Sequence, residues 1–347
     1  MELTIKNKVG IIHLNRPDKL NALSLDDIQQ MQEALEKWLE DPAVHWILFE
    51  GEGKAFSAGG DVKALYDYSL ATGDFPGRFF KAEFALDQLV HAYPKPVVVL
   101  YKGVTMGGGI GLTVNADLRV TDDSLIWAMP ETQLGFMPDV AMGWYFSRLD
   151  RADGLYLSLL GGRLDWQDAI HYGFADLGIR VADRAAARQA LLELATEGLS
   201  YEDMVAALKA ALAPFTQASG QGAYQRDLAP LAKKYFDKDQ LGAIMAHLQR
   251  GYEPFAAESL AGLLSRSPLA VAVTFLKYAY GKGWTREETF RVDLDLLAFL
   301  WDKAEPMEGI RATMVDKNHR PAYWRHSYGD LDWPALHAFF EDRSPQA

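Results

Sequence analysis

Two glycine-rich segments are the first places in this 347-residue sequence where backbone groups could do chemistry. Residues 54–61 have the sequence KAFSAGGD and residues 107–111 have GGGIG. Each follows a run typical of a β-strand and precedes a predicted helix. Glycines at such turns leave N–H groups unpaired and carry no Cβ to block a ligand. Two such N–H groups can stabilise the negative charge that develops on a thioester carbonyl oxygen.

Neither glycine segment fits a nucleotide-binding motif. Residues 54–61 lack the Gly-Lys-Ser/Thr ending of a phosphate-cradling P-loop. In the second segment no frame gives Gly-x-Gly-x-x-Gly, because Leu112 or Val114 occupies the last position. The sequence therefore disfavours nucleotide hydrolysis and dinucleotide binding.

Two carboxylates follow the second glycine segment in apolar surroundings. Glu131 lies in AMPET (residues 128–132) and Asp139 in GFMPDV (residues 135–140). Apolar neighbours would raise a carboxyl pKa towards neutrality and improve the group as a base. Each residue also has a structural interpretation, since Glu131 would suit a helix start and Asp139 a helix N-cap. The glycine segments favour a catalytic Glu131, whereas both interpretations of Asp139 stay open.

The elements that must position these residues alternate between strands and helices. Predicted helices begin after Ser24, whose spacing to Asp27 resembles a capping box, at Asp61, and near residue 78. Gly161 would end another helix by adopting positive φ. Such alternation predicts an α/β sheet core. The predicted strands are residues 3–5, 9–14, 45–50, 97–101, 118–121 and 125–128.

Beyond about Val181 the pattern becomes helical, and we expect no further strand. A polar stretch over residues 216–222 is expected to be a surface loop. The predicted helices in this part are residues 184–196, 201–212, 237–250, 254–264, 268–280 and 285–303.

Composition excludes several kinds of site. Cysteine is absent, which removes disulfides, thiolate zinc sites, iron–sulfur clusters and cysteine nucleophiles. The eight histidines form no metal-binding spacing, and no serine lies in a nucleophile elbow. We therefore expect no metal site.

Charge and hydropathy also limit partners and location. A net charge of −12 matches neither nucleic acid nor anionic membranes, which select basic surfaces. The N-terminus has no apolar run typical of a signal peptide, and no stretch is long enough to span a bilayer. We expect a cytoplasmic protein that binds neither nucleic acid nor membrane.

Three motifs occur in the order seen in crotonases, the enoyl-CoA hydratase/isomerase superfamily. They are LNRP with NAL (residues 14–23), FSAGGD (residues 56–61) and GGG (residues 107–109). The resemblance implies an α/β fold with a crotonase-like ββα spiral core. It also implies an acyl-CoA substrate, no separate cofactor, and the N–H groups of Gly60 and Gly108 as oxyanion donors.

The same resemblance implies that residues 58–63 lie along the adenine and pantetheine of coenzyme A. Lys19 and Lys63 are candidate phosphate contacts, although an exposed lysine is usually only solvated. The substrate-binding candidates are therefore Ala58, Asp61, Lys63, Lys19, Gly107 and Gly111.

One branch of the superfamily fits best. By resemblance to the family, a hydratase uses two carboxylates to add water. In this sequence the position of the first is Gly111, and the position of the second is Glu131. Residues 106–140 resemble the 3-hydroxyisobutyryl-CoA hydrolases, thioesterases of valine breakdown. Residues 308–312, 316–317 and Pro321 resemble the C-terminal signature of that branch.

In that branch Glu131 would deliver the nucleophile, either by attacking the carbonyl itself or by deprotonating a water. Asp139 would orient the 3-hydroxyl of the substrate or protonate the leaving thiolate. Two other interpretations stay open: an enoyl-CoA hydratase or isomerase that uses Glu131, and a non-catalytic CoA- or RNA-binding relative.

The sequence also predicts a division of roles. Residues 1–182 would form the crotonase core with the acyl-CoA site. Residues 183–347 would form a long helical region that covers the site or makes the subunit contacts of a homo-oligomer.

Overall fold

The computed structural model describes residues 1–316 and 322–344. Within it the chain divides into two compact units, each built from three separate segments. The first unit comprises residues 1–60, 82–127 and 164–224. The second comprises residues 61–81 and 128–163 and the described residues from 225 onward.

A seven-stranded sheet forms the centre of the first unit. The five inner strands run parallel, and the two edge strands pair antiparallel with their neighbours. In spatial order the strands are β1 (Glu2–Lys6), β2 (Val9–Leu14), β3 (Trp46–Gly51), β5 (Val97–Leu100), β7 (Leu118–Asp122), β9 (Leu177–Ile179) and β10 (Thr216–Gln217).

A second, three-stranded sheet carries the glycine segments. Its strands are β4 (Ala55–Ser57), β6 (Val104–Met106) and β8 (Ile126–Ala128). β4 and β6 are parallel neighbours, with Ser57 opposite Thr105. Because the carboxyl ends of parallel neighbours meet at one edge, the two glycine segments emerge side by side.

The predicted helices are present, and further helices that were not predicted accompany them, among them Ala229–Phe236 and Trp333–Glu341. In chain order they are α1 (Leu25–Glu40), α2 (Val62–Thr72), α3 (Gly77–His91), α4 (Gly108–Thr113), α5 (Met142–Phe146), α6 (Arg151–Leu160), α7 (Trp166–His171), α8 (Arg184–Leu192), α9 (Tyr201–Leu212), α10 (Ala229–Phe236), α11 (Leu241–Gln249), α12 (Pro254–Ser265), α13 (Pro268–Gly281), α14 (Arg286–Asp302), α15 (Glu305–Ile310) and α16 (Trp333–Glu341).

Several local predictions are confirmed. Ser24 and Asp27 form the reciprocal capping box of α1. Asp61 is the N-cap of α2, where its side chain accepts a hydrogen bond from the N–H of Ala64. Gly161 ends α6 in the left-handed conformation, with φ of 60°.

Four strands differ from the expectations. β4 and β6 lie at residues 55–57 and 104–106, where no strand was predicted. β9 lies in a stretch for which no strand was predicted, and β10 lies beyond Val181, inside the stretch expected to be a loop. β10 has only two residues and forms by backbone pairing with β9. Its side chains show no period, so sequence patterning could not reveal it.

The core of the first unit lies between its large sheet and two helices of the later sequence. Ala187 and Leu191 of α8 and Leu208 of α9 belong to the same buried cluster as Val98 and Val120 of the sheet. Residue 182, the predicted boundary, therefore falls inside this unit. The roles predicted for the two regions stay predictions.

The second unit is built mainly from helices. α6 packs against α10 and α13, and α13 also contacts α5, α14 and α16. Nearly all of α13 is buried, including Lys277. Among the described residues no single helix is long and apolar enough to cross a membrane; α12 and α13 meet the length and composition test only as a pair, bent by 110°.

The predicted C-terminal signature is only partly covered. Residues 308–312 end α15 and enter a π-helical turn, Arg311–Val315. Lys317 and Pro321 lie outside the described residues.

Candidate active site

The side chain of Asn21 braces the first glycine segment. Its Oδ1 accepts a hydrogen bond from the N–H of Arg16 at 2.9 Å. Its Nδ2 donates to the carbonyl oxygens of Glu52 and Ala55, both at 3.0 Å. The LNRP and NAL motifs therefore build a scaffold that fixes the approach to β4.

Ser57 continues this scaffold. Its hydroxyl donates to the carbonyl oxygen of Asn21 at 3.0 Å and accepts from the N–H of Gly59 at 3.1 Å. The carbonyl oxygen of Gly59 accepts from the N–H of Leu23 at 2.8 Å. Since both hydroxyl contacts serve the loop, Ser57 is structural.

The two glycine segments touch through their backbones. Gly59 and Gly107 both adopt positive φ, 91° and 53°. A Cβ added to Gly59 would lie 2.9 Å from the nitrogen of Gly108, and one added to Gly108 would lie 3.5 Å from the nitrogen of Gly60. Only residues without side chains permit this approach.

The N–H groups of Gly60 and Gly108 are available as donors. Among the described residues neither donates a hydrogen bond. Gly108 is the first residue of α4, where helix geometry leaves N–H groups without an intrahelical acceptor. Two free N–H groups on touching loops match the arrangement that stabilises an oxyanion.

An acid that the sequence analysis did not single out lies beside these donors. Glu83 is 4% exposed, and a Cβ on Gly108 would overlap its Oε1. Asp87, four residues later on α3, is also buried. The sequence offered only a weak signal, two acids at helical spacing among apolar residues, and their burial shows only in the structure.

Gly111 occupies the position where the resemblance places the first acid of a hydratase. It is buried within α4, and its carbonyl oxygen is hydrogen-bonded to Nε2 of His91 at 2.9 Å. No carboxylate is supplied from this turn of the helix.

The second unit holds Glu131, which begins a 3₁₀ turn, Glu131–Leu134. The hydroxyl of Thr132 donates to the carbonyl oxygen of Leu159 at 3.0 Å and accepts from Nε of Arg266 at 3.0 Å. These bonds anchor the turn. Oε2 of Glu131 is buried and has no hydrogen-bond partner among the described residues.

Asp139 is not a helix N-cap, so that structural interpretation is wrong. α5 begins at Met142, and its N-cap is Ala141. Val140 and Ala141 both adopt positive φ, 47° and 62°, which is unusual for residues that carry a Cβ. This course carries the chain away from Asp139 before the helix starts, so the carboxyl group is left for another role.

A buried ion pair lies behind this segment. Nζ of Lys277 contacts the carboxylate of Asp293 and donates to the carbonyl oxygen of Pro138. Oδ2 of Asp293 accepts from the N–H of Ala141 at 3.0 Å. Neither residue can be predicted from the sequence, because their partners lie far away in the chain.

Burial and mutual charge perturb the acids of this cluster. Burial, and then the charge of Asp139, raise the pKa of Glu131 well above its usual value. Burial and the charge of Asp293 raise the pKa of Asp139 to about 7. The charge of Lys277 opposes both increases. Both carboxyl groups therefore hold a proton more readily than ordinary acids do, as a pair that transfers protons requires.

The remaining predicted site residues have ordinary local contacts. The N–H of Ala58 donates to the carbonyl oxygen of Leu20 at 2.9 Å. Lys63 is exposed and pairs with Asp67 on its own helix at 2.6 Å. Lys19 is exposed at the end of a short 3₁₀ turn. Their proposed contacts with coenzyme A stay predictions.

A cleft of about 590 Å³ lies elsewhere in the first unit, at the carboxyl ends of β2, β3 and β5. It is lined by charged side chains, among them Lys102 and the ion pair of Glu50 with Arg188. None of the predicted site residues lines it. Among the described residues no group of three or more histidine or acidic side chains is arranged to hold a metal ion.

Comparison with known proteins decides the family. Residues 9–340 match the family described as enoyl-CoA hydratase/isomerase. The chain belongs to this family. The predicted crotonase-like fold is confirmed by two solved members, each with a TM-score of 0.86. One is a carnitinyl-CoA dehydratase from Mycobacterium thermoresistibile, at 29% identity over 98% of this chain and 95% of that one. The other is an enoyl-CoA hydratase from Rhodobacter sphaeroides. It is 30% identical, and the match covers 100% of this chain and 99% of that one.

Curated members of the enoyl-CoA hydratase/isomerase family also confirm the predicted branch. The mitochondrial 3-hydroxyisobutyryl-CoA hydrolase of Rattus norvegicus is 31% identical over 96% of this chain and 86% of its own length. The Homo sapiens enzyme of the same name is 32% identical over 92% of this chain and 82% of its own length. Since these relatives are named as mitochondrial, the cytoplasmic location of this chain stays a prediction.

Proposed function

We propose that this enzyme hydrolyses the thioester of a short 3-hydroxyacyl-CoA, such as 3-hydroxyisobutyryl-CoA, to the free acid and coenzyme A. The observation that carries the proposal is Oε2 of Glu131, which is buried and has no hydrogen-bond partner among the described residues, while burial, and then the charge of Asp139, raise the pKa of the carboxyl group. A buried carboxyl oxygen without a hydrogen-bond partner is costly and marks a candidate catalytic group.

In this proposal the N–H groups of Gly60 and Gly108 bind the carbonyl oxygen of the thioester. They stabilise the negative charge that this oxygen gains when the carbonyl carbon is attacked. Loss of one such donor typically costs about 10²–10³ in rate. Residues 58–63, with Lys19, bind the coenzyme A part of the substrate.

Glu131 delivers the nucleophile by one of two routes. As a base it takes a proton from a water whose oxygen attacks the carbonyl carbon. As a nucleophile it attacks that carbon itself, and water then hydrolyses the mixed anhydride. In both routes the C–S bond breaks when the tetrahedral adduct collapses. Hydrolysis of a single turnover in ¹⁸O-labelled water separates them, because only the second route can carry label into Glu131.

Asp139 supplies a proton to the departing thiolate of coenzyme A. Burial and the charge of Asp293 favour the protonated form of Asp139, so a proton is available near neutral pH. In the base route, the proton taken by Glu131 can then pass to Asp139, which returns the pair to its starting state.

A second candidate is an enoyl-CoA hydratase or isomerase, and the names of the two solved family members favour it. It requires Asp139 to replace the acid that is missing at Gly111. A non-catalytic relative that only binds CoA or RNA is less consistent with the raised pKa of Glu131 and with its Oε2, which lacks a hydrogen-bond partner in the described part of the chain.

The test is a comparison of substrates with the purified full chain. A chromogenic thiol reagent follows coenzyme A release from 3-hydroxyisobutyryl-CoA and 3-hydroxypropionyl-CoA, while ultraviolet absorbance follows crotonyl-CoA. We expect rapid thiol release from the hydroxyacyl substrates and a stable enoyl absorbance. Loss of enoyl absorbance without thiol release would establish the hydratase instead.

A further inference from the structure

Lys277 is a cation in the interior of the second unit. It is 2% exposed, and Asp293, its partner on α14, is 0% exposed. A Cβ on Gly143 would overlap Cε of Lys277, so this glycine leaves room for the lysine side chain. Nζ also donates to the carbonyl oxygen of Pro138, the residue before Asp139. The ion pair is therefore in direct contact with the segment that carries the proposed acid.

Asp293 is hydrogen-bonded to the other end of the same segment, at Ala141. Its Oδ2 accepts from the N–H of Ala141 at 3.0 Å. Between the two contacts the backbone passes through Val140 and Ala141 with positive φ. Such conformations persist only where surrounding contacts impose them. One ion pair thus braces the backbone on both sides of Asp139.

The cluster also has an unusual charge count. It contains three carboxyl groups, Glu131, Asp139 and Asp293, and one ammonium group, Lys277. With every group ionised, the buried cluster would carry two uncompensated negative charges. Buried ions without partners are costly, so the cluster gains by retaining a proton. Burial also raises the pKa of Asp293, but the contacts with Lys277 and Ala141 oppose that increase. We therefore assign the retained proton to the proposed acid–base pair.

We propose that Lys277 and Asp293 are positioning residues, which hold the 138–141 segment so that Asp139 is aimed and keep one proton on the Glu131–Asp139 pair. This inference rests on the function proposed above for that pair. Neither residue contacts substrate in this account; both act through Asp139.

Two other ionisable groups on neighbouring elements have partners of their own. Glu305 on α15, which packs against the Glu131 turn, is paired with His326 at 2.6 Å. Arg266, at the end of α12, donates to Thr132 and to the carbonyl oxygens of Leu160 and Gly262. The charges that act on the pKa of Asp139 are those of Asp293, which raises it, and Lys277, which lowers it.

A purely structural role is the competing explanation, because an uncharged pair of similar shape can often replace a buried ion pair. The two explanations differ in the ionisation of Asp139. The charge of Asp293 raises the pKa of Asp139 and that of Lys277 lowers it, the effect of Asp293 being the larger. Removing the charge of Asp293 alone must therefore lower the titration midpoint of Asp139. Removing both charges must lower it less.

The experiment compares Asp293→Asn with the double variant Lys277→Met/Asp293→Asn. Asparagine retains an oxygen that can accept from Ala141, so the backbone contact survives. Asp302→Asn is the matched control, because Asp302 lies on the same helix with a side chain that is 75% exposed. Carboxyl ¹³C NMR of aspartate-labelled protein follows Asp139, whose signal is assigned by its loss in Asp139→Asn.

We expect the Asp139 midpoint to fall by about one pH unit in Asp293→Asn. The double variant should lie between that variant and wild type, and Asp302→Asn should match wild type. The pH profile of kcat should move in the same order while KM changes little. Identical Asp139 midpoints in wild type, the single variant and the double variant would overturn the proposal.

The design covers two possible failures, of folding in one variant and of the proposed function. If Asp293→Asn fails to fold because Lys277 is left unpaired, the double variant, whose pair is uncharged, decides through its own midpoint. If wild type releases no coenzyme A from any thioester, the proposed function fails. The NMR titration of the free protein still tests whether the ion pair controls Asp139.

Discussion

Oε1 of Glu83 occupies the space that a Cβ on Gly108 would need. This relationship brings a buried acid of α3 against the first residue of α4, whose N–H is a proposed oxyanion donor. An ionised carboxylate at that point would oppose negative charge on the substrate oxygen. The side chain of Glu83 is therefore placed to influence the reaction at the thioester.

Replacing Gly108 by alanine tests the space beside the donor. We expect kcat/KM to fall by about 10² or more, because the new methyl group displaces Glu83 and narrows the approach to the N–H. Gly242→Ala is the matched control, since a Cβ there meets no atom within 4 Å. It should leave activity unchanged and raise stability by up to about 1 kcal/mol, as alanine does in a helix. Equal activity of the two variants would contradict the account.

Replacing Glu83 by glutamine tests the acid itself. The side chain keeps its size but loses its ionisable proton, so we expect kcat/KM for 3-hydroxyisobutyryl-CoA to fall about tenfold or more. Thermal unfolding should stay within a few degrees of wild type. Unchanged kcat/KM in a folded variant would mean that Glu83 only fills space beside Gly108.

Replacing Asp139 by asparagine should lower activity and raise the free energy of unfolding at alkaline pH. The folded pKa of Asp139, about 7, exceeds that of an unfolded aspartate. The folded state therefore favours the protonated form, and this stabilisation is complete below about pH 4 and is lost as pH rises through 7. Asparagine cannot ionise, so at pH 8 the variant should be more stable than wild type by on the order of 1–3 kcal/mol.

Urea denaturation at pH 5 and pH 8 checks this expectation. The wild-type free energy of unfolding should decrease more between the two values than that of Asp139→Asn. Asp302→Asn, an exposed aspartate on α14, serves as the control and should keep the wild-type slope. A variant that is less stable than wild type at pH 8 would argue that Asp139 is ionised and paired in the native state.

Local signals in the sequence predicted much of the fold. The Ser24–Asp27 capping box and the helix over residues 201–212 were read correctly, because capping chemistry and helical periodicity act over a few residues. β9 and β10 were missed because two or three residues define no period. The short helix α15 was missed for the same reason.

The candidate site divides in the same way. Gly60, Gly108 and Glu131 could be proposed from the sequence, because glycine motifs and a Pro-Glu pair are visible in it, and their roles stay predictions. The ion pair of Lys277 with Asp293 was not, since its link to Asp139 depends on long-range packing of α13 and α14. The N-cap role considered for Asp139 was wrong because positive φ at Val140 and Ala141 delays the helix start to Met142. No pattern of side chains predicts positive φ at two residues that carry a Cβ.

The central claim is that Glu131 drives thioester hydrolysis. Thiol release from 3-hydroxyisobutyryl-CoA should be measured for wild type, Glu131→Gln and Glu33→Gln, the last being the same change at an exposed position of α1. We predict rapid release by wild type and Glu33→Gln, and a loss of about 10³ or more in Glu131→Gln with its fold intact. Release by Glu131→Gln at the wild-type rate would contradict the account.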